Sequence, residues 1–340
     1  VTTLLVLVGK NVHFGRPVPS VVLDADPLPA PAPAVYRLTS VSSLTGEKRV
    51  ERLRQDDPAR IGEFLTLARL DADGSRGVPE RRYLARSADG GHTVLAFLPS
   101  PGGDPARWAA EAQQAARLTQ PGFWPVGRLG GTPAFPWYAS PYRPALPLPA
   151  VLAAYGGPLP EPLVRTLGGT LAEALASAHV LGIVHGGLCP AGVLLTACGP
   201  LLGCFGATRA NPLAGAASPT QATGLETGCL APELAAGGPA DRAADVYALG
   251  AVLAYAATGH TVPERQEIPA GLRDLITACR SRDPQGRPEP ARVLAELLPG
   301  AAYGALAGAT EPMSLPGRIV EALSRQSAEV LAAALPTQGH

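Results

Sequence analysis

Residues 184–206 read VHGGLCPAGVLLTACGPLLGCFG. The stretch holds His185 and the cysteines Cys189, Cys198 and Cys204, but no carboxylate, no amide side chain and no Lys or Arg. The deficit extends well beyond it. No Asp occurs between Asp104 and Asp241, no Lys after Lys48, and the only Asn residues are Asn11 and Asn211. Magnesium takes hard oxygen ligands, above all carboxylates, and neither glycine nor a thiol replaces them.

In its spacing the stretch resembles the catalytic loop and metal-binding turn of bacterial, actinobacterial-type eukaryotic-like Ser/Thr protein kinases. In such enzymes a His-Arg-Asp run supplies the base, a later Asn one magnesium ligand, and an Asp-Phe-Gly turn the other. Here the frame reads His185, Gly186, Gly187, then Gly192, then Cys204, Phe205, Gly206. The resemblance puts Gly187 at the base, Cys189 at the loop Lys, Gly192 at the Asn and Cys204 at the metal-turn Asp. It implies an α+β, bilobal fold, with a small β-rich N-lobe and a larger α-helical C-lobe, in a degenerate family member, a pseudokinase.

The resemblance covers about residues 57–298. TVLAF, Thr93–Phe97, resembles the strand that carries the nucleotide-binding Lys, with Val94 read at the adenine-facing position and Ala96 at the Lys. Glu111, on a helix expected over 105–118, stands at the glutamate that would pair with that Lys. Without its partner it reads as solvated or re-paired with an Arg. The turn DADGSRG at 71–77 takes the place of the Gly-rich loop. Its Asp71 and Asp73 would repel a triphosphate and deny close backbone approach, although Asp and Gly suit a plain hairpin turn equally. Residues 136–148 read as the last N-lobe strand and the hinge, whose backbone groups can still meet a flat ligand. Val94, Glu111, Tyr142 and Leu194 would line any nucleotide cleft.

The C-lobe positions that support the family's architecture are retained. Residues 160–181 carry apolar residues at helical spacing and lead into His185, which pairs by packing with Phe205 in the family rather than by catalysis. Ala231, Pro232 and Glu233 match the end of the activation segment, and Arg287 matches the partner of that Glu. Asp245, on a helix read over 241–260, matches the residue that caps the catalytic loop. The middle of the activation segment is small and polar, with hydroxyls that would lack their usual Arg because Gly186 replaces it.

Composition is consistent with a folded domain of kinase length plus extensions. With 28 basic and 28 acidic residues, net charge zero, nothing points to a nucleic acid or an anionic membrane. The longest apolar runs are too short to span a bilayer, and no leader with a small-residue cleavage site is read, so the expected location is cytoplasmic. The five cysteines form no C-x-x-C pair and read as reduced, buried thiols. A metal or redox site at Cys189, Cys204 and His185 is the sharper alternative to plain replacement of lost groups by small residues.

The domain expectations are 1–49, a strand and a Pro/Ala-rich extension; 50–298, a kinase-like domain with its N-lobe at about 57–140 and C-lobe at about 144–298; and 299–340, a small-residue linker and an amphipathic helix. The chain opens with Val rather than Met, and an accessory strand or a displaced start reads equally well. The helix, 315–335 with Ile319, Leu323, Val330 and Leu331 among its apolar positions, is expected on the C-lobe rather than on a partner. The function expected is a catalytically inactive scaffold or regulatory module for another protein, without catalytic or metal-binding residues and without tight ATP or magnesium binding. The alternatives are a weak nucleotide sensor, an unconventional transferase borrowing Asp71, Asp73 or Glu226, and an active Ser/Thr kinase. Oligomeric state stays open.

Overall fold

The computed structural model describes residues 52–70, 80–100, 103–211, 225–300 and 313–332. The readings made on residues 1–49, on the Asp71/Asp73 turn and on the middle of the activation segment lie outside the described residues. Strands β1 (Arg60–Ile61), β2 (Phe64–Arg69), β3 (Glu80–Ser87) and β4 (Thr93–Pro99) form an antiparallel meander. The hairpin of β5 (Arg128–Thr132) and β6 (Phe135–Pro141) joins it through β6 against β4, giving the order β1-β2-β3-β4-β6-β5. Strand β5 was not foreseen, because RLGGT is exposed along its whole length and carries no alternation.

Side chains alternate across this sheet and separate two cores. Phe64, Tyr83, Ala85, Val94, Ala96, Leu98, Trp137 and Ala139 pack on one face. On the other, Leu95, Phe97 and Tyr138 pack against Trp108 and Ala112 of helix α1 (Pro105–Ala115) and reach Leu194 of the second lobe. Helix α1 starts where Asp104 accepts from the amides of Ala106 and Arg107, at 3.0 and 3.1 Å, with Pro105 in the first turn.

After the connector 142–145 the chain becomes helical: β7 (Leu146–Pro147), α2 (Leu148–Tyr155), α3 (Glu161–Val180), the β8 (Val193–Thr196) and β9 (Gly199–Leu202) pair, α4 (Ala207–Ala210), α5 (Pro232–Ala235), α6 (Arg242–Thr258), α7 (Ala270–Cys279) and α8 (Pro290–Leu297). Helix α6 is the post of this lobe, with Val246, Leu249, Val252, Leu253 and Ala256 all buried. Gly168 lets α3 press against it, and Gly169 lets α3 press against the end of α8, since a Cβ would stand 2.4 Å from the side chain of Leu253 or Leu298 respectively.

The last helix, α9 (Gly317–Ala332), is shared between the lobes. Ile319, Ala322 and Leu323 enter the C-lobe core, as its amphipathic pattern predicts. Val330 instead packs with Ala68 and Leu84 of the N-lobe sheet. Leu331, expected on the apolar stripe, is 80% exposed because the stripe turns away from it at the helix end.

Candidate functional site

The loop 184–192 hangs from α6. Buried Asp245 accepts from the amides of His185 and Gly186, both at 2.8 Å, and its Oδ2 lies 2.8 Å from Nε2 of the buried His179. The ring of His185 stacks on Phe123, centroids 6.1 Å apart, and meets the edge of Phe205 at 5.6 Å. Burial lowers its pKa to about 4, with the Asp245 charge opposing the shift, so the ring is neutral at pH 7. Lower in the lobe Arg287 donates to both carboxylate oxygens of Glu233, one at 2.8 Å, and to the carbonyls of Ser281 and Ala243. Burial works against ionisation of Glu233, but the Arg287 hydrogen bond, a backbone hydrogen bond and the Arg287 charge together outweigh it, holding the carboxyl below its ordinary range.

Gly187, Cys189, Gly192 and Cys204 come together at the centre of this loop and turn. Cys204 alone among the described non-glycine residues has a positive φ, 60°. Its carbonyl oxygen occupies the space beside Gly187: a Cβ added there would stand 1.8 Å from that oxygen and 3.0 Å from the Ala207 Cβ. At Gly192 a Cβ would lie 3.3 Å from the sulfurs of both Cys189 and Cys204, and at Gly186, φ 63°, 2.4 Å from the guanidinium of Arg209. Gly187 therefore has no room for a side chain, whereas at Gly192 and Gly186 the neighbouring side chains would have to shift to admit one. A hydrogen bond with Cys189, and then burial, push the Cys204 thiol well above the usual thiol range. The Cys204 sulfur is therefore a thiol rather than a thiolate. Among the described residues no group of three or more His, Cys, Asp and Glu side chains is arranged to hold a metal ion.

The N-lobe contribution differs from the sequence expectation. Val94 and Ala96 lie on the sheet face with Phe64 and Trp137, away from α1, and Leu95 and Phe97 take the cleft-facing positions. A one-residue offset along a strand exchanges its two faces, and V-L-A-F counted from Val94 brings Phe97 to the place assigned to the Lys. Phe97 stacks on Tyr138 at 4.4 Å, and Tyr138 on Trp108 at 5.5 Å, so aromatic rings fill the region between β4 and α1. Glu111 is re-paired with an arginine: Arg209 of α4 donates to its two oxygens at 2.9 and 2.7 Å.

Two charged residues of β3, unforeseen in the sequence, complete the cluster. Buried Arg82 crosses to the other lobe, where Nη1 donates to the Ala191 carbonyl at 3.2 Å. Buried Glu80 accepts from the Tyr138 hydroxyl at 3.3 Å and from Cys204 Sγ at 3.7 Å. Burial, followed by the Glu80 charge, raises the Tyr138 pKa well above 10.0. The available signal was their spacing: Glu80 and Arg82 share a strand face with Leu84, and inward charges on a buried strand require partners.

The connector offers few hydrogen-bond donors to a ligand. Pro141, Pro144 and Pro147 have no amide proton, the Tyr142 amide donates to Thr93 O at 3.0 Å, and the Ala145 amide donates to Gln326 Oε1 at 2.9 Å. The Tyr142 hydroxyl also lies 3.5 Å from Gln326 Oε1. Leu194 is buried beside Leu95, Phe97 and Ala145. Of the nucleotide-lining set, Leu194 and Tyr142 border the cleft, Glu111 faces Arg209 and Val94 faces elsewhere. Glu226, raised in pKa by burial, lies near Cys229 and Tyr255.

The chain is 35% identical over 274 residues to the probable serine/threonine-protein kinase PkwA of Thermomonospora curvata, a match covering 73% of this chain and 35% of PkwA. It is 34% identical over 279 residues to the serine/threonine-protein kinase AfsK of Streptomyces coelicolor, covering 74% of this chain and 33% of AfsK. The homologues of this chain are bacterial eukaryotic-like Ser/Thr protein kinases. Its fold is the bilobal protein-kinase-like α+β fold. The kinase domain of Mycobacterium tuberculosis PknI superposes with a TM-score of 0.53 at 24% identity, over 69% of this chain and 95% of that domain. No protein-family model matches the chain. The chain spans about a third of the length of PkwA and AfsK. None of the described helices is long and apolar enough to cross a membrane.

Proposed function

We propose that this kinase-like domain is a pseudokinase that transfers no phosphate and acts as a binding module for another protein. The observation that carries the reading is the closure at Gly187, where the Cys204 carbonyl stands 1.8 Å from the Cβ a base would need. Positioning and charge neutralisation supply nearly all of kinase catalysis, and the two magnesium-ligand positions, Gly192 and Cys204, have no oxygen side chain. The contacts that hold the kinase shape, Asp245 to the loop amides and Arg287 to Glu233, are intact, which favours a role for the folded surface.

The test is label transfer from γ-labelled ATP, with magnesium and with manganese, to the full chain and to a generic basic substrate. Counts at the level of the protein-free control are expected. Turnover that survives repurification and is abolished by Arg82→Ala or Cys204→Ala would establish an active enzyme instead. The binding half predicts that crosslinking in the native cell captures one protein in stoichiometric amount, equally with wild type and with Cys204→Ser. Loss of that protein in the variant would return the function to the cleft.

A further inference from the structure

Helix α9 follows the stretch that the sequence motifs mark as kinase-like, and three independent sets of contacts fasten it. At its first turn Arg318 Nη1 donates to the Tyr155 carbonyl at 3.2 Å, where a cation satisfies the end of α2, and Ile319 and Leu323 are buried in the C-lobe core. Midway, the Gln326 side chain, only 2% exposed, meets the connector through both ends of its amide, with Ala145 as the main partner and the Tyr142 hydroxyl 3.5 Å from Oε1. Oε1 accepts from the Ala145 amide and Nε2 donates to the Ala145 carbonyl, both at 2.9 Å. Near its end Arg86 of β3 donates to the Val330 carbonyl at 3.2 Å, and the Val330 side chain packs between Ala68 and Leu84. One rigid helix therefore touches the C-lobe, the connector and the N-lobe in turn.

We infer that α9 is an intramolecular clamp that fixes the angle between the lobes, with Gln326 as its latch on the connector. The chemistry explains the choice of residue. A buried backbone donor and acceptor on the same residue call for a side chain with one donor and one acceptor in plane, which the amides of Gln and Asn supply without taking up a proton, and the longer Gln reaches. The pair satisfies the Ala145 backbone groups in a connector interrupted by Pro144. By holding β3 against the C-lobe side, the same clamp holds Arg82 on the Ala191 carbonyl. The inference is independent of whether the cleft turns over a substrate.

The experiment is hydrogen exchange on the full chain, comparing wild type with Gln326→Leu, which keeps the size and burial but loses both hydrogen bonds. Val330→Ala, which loosens only the N-lobe end, is the second variant. In Gln326→Leu, the amides of Tyr142 to Leu146 and of β2 and β3 should exchange at least tenfold faster, while those of α6 and α3 keep their wild-type rates. Val330→Ala should speed β2 and β3 and leave the connector unchanged. Unchanged connector rates in Gln326→Leu would overturn the proposal. So would a uniform acceleration in both lobes, because α9 would then be one more layer of the core and not a clamp.

Discussion

His185 is fully buried in a loop whose next two residues are glycines. Its ring stacks on Phe123 and meets Phe205 edge-on, and its pKa is held near 4 by burial. In the unfolded chain the same group titrates near 6.5, so between these values the unfolded state binds more protons and stability rises with pH. The contribution is complete above the unfolded value and is lost as pH falls towards 4. Integrated from pH 7 to pH 5 it amounts to about 2 kcal/mol. Glu233 and Asp57 also lose stability on acidification, but both titrate below their ordinary 4.5 and 3.8, so they act beneath this window. Chemical denaturation at pH 7 and pH 5 should therefore show a fall in wild type that His185→Phe lacks. Equal falls in the two proteins would mean that the imidazole is protonated inside the fold.

Strand β4 shows why elements differ in how far the sequence reveals them. The catalytic loop, the metal turn and α6 were legible because polar or glycine positions occur at fixed intervals within apolar runs, so His185, Phe205, Asp245 and Arg287 fall into place together. Residues 94–98, V-L-A-F-L, are apolar throughout, and a strand buried on both faces has no alternation to say which side is which. The adenine and Lys positions were accordingly read one residue early. Neither the pairing of Gln326 with Ala145 nor that of Arg82 with Ala191 has a local signature, since each joins residues more than a hundred positions apart. With Phe97 identified as the inward residue, Phe97→Ala should cost about 3–5 kcal/mol, the range for a buried aromatic truncated in a packed core. Phe97→Lys, which restores the residue carried by the family, should cost at least as much, because it puts an ammonium among Tyr138, Trp108 and Trp124. Urea midpoints decide it: a loss within error of zero for Phe97→Ala would return the strand to the Val94/Ala96 register.

At the scale of the whole molecule the question is whether two lobes joined in this way can admit a nucleotide at all. Binding between them would have to displace Arg82 from the Ala191 carbonyl and open the core that Leu194 shares with Leu95, against the hold of α9 on both lobes. Under the proposed reading, a ligand would also go without the charge-assisted contacts that a Lys and carboxylates give, each worth about 1.5–3 kcal/mol, and the connector has given its Ala145 groups to Gln326. Stabilisation by a ligand follows RT ln(1 + [L]/Kd) and vanishes once Kd exceeds the ligand concentration. ATP at about 1 mM, with or without magnesium, should therefore move the melting temperature by less than about 1 °C, where a ligand present at a hundred times its Kd would stabilise by about 2.7 kcal/mol and shift it by several degrees. The dependence on metal separates the ways of being wrong. A clear shift without magnesium, lost on substituting Leu95 by Phe, would make the domain a sensor of the purine through its connector. A shift that requires magnesium would demand oxygen ligands at Gly192 and Cys204 that this chain does not carry, and the reading of the cleft would fall with it.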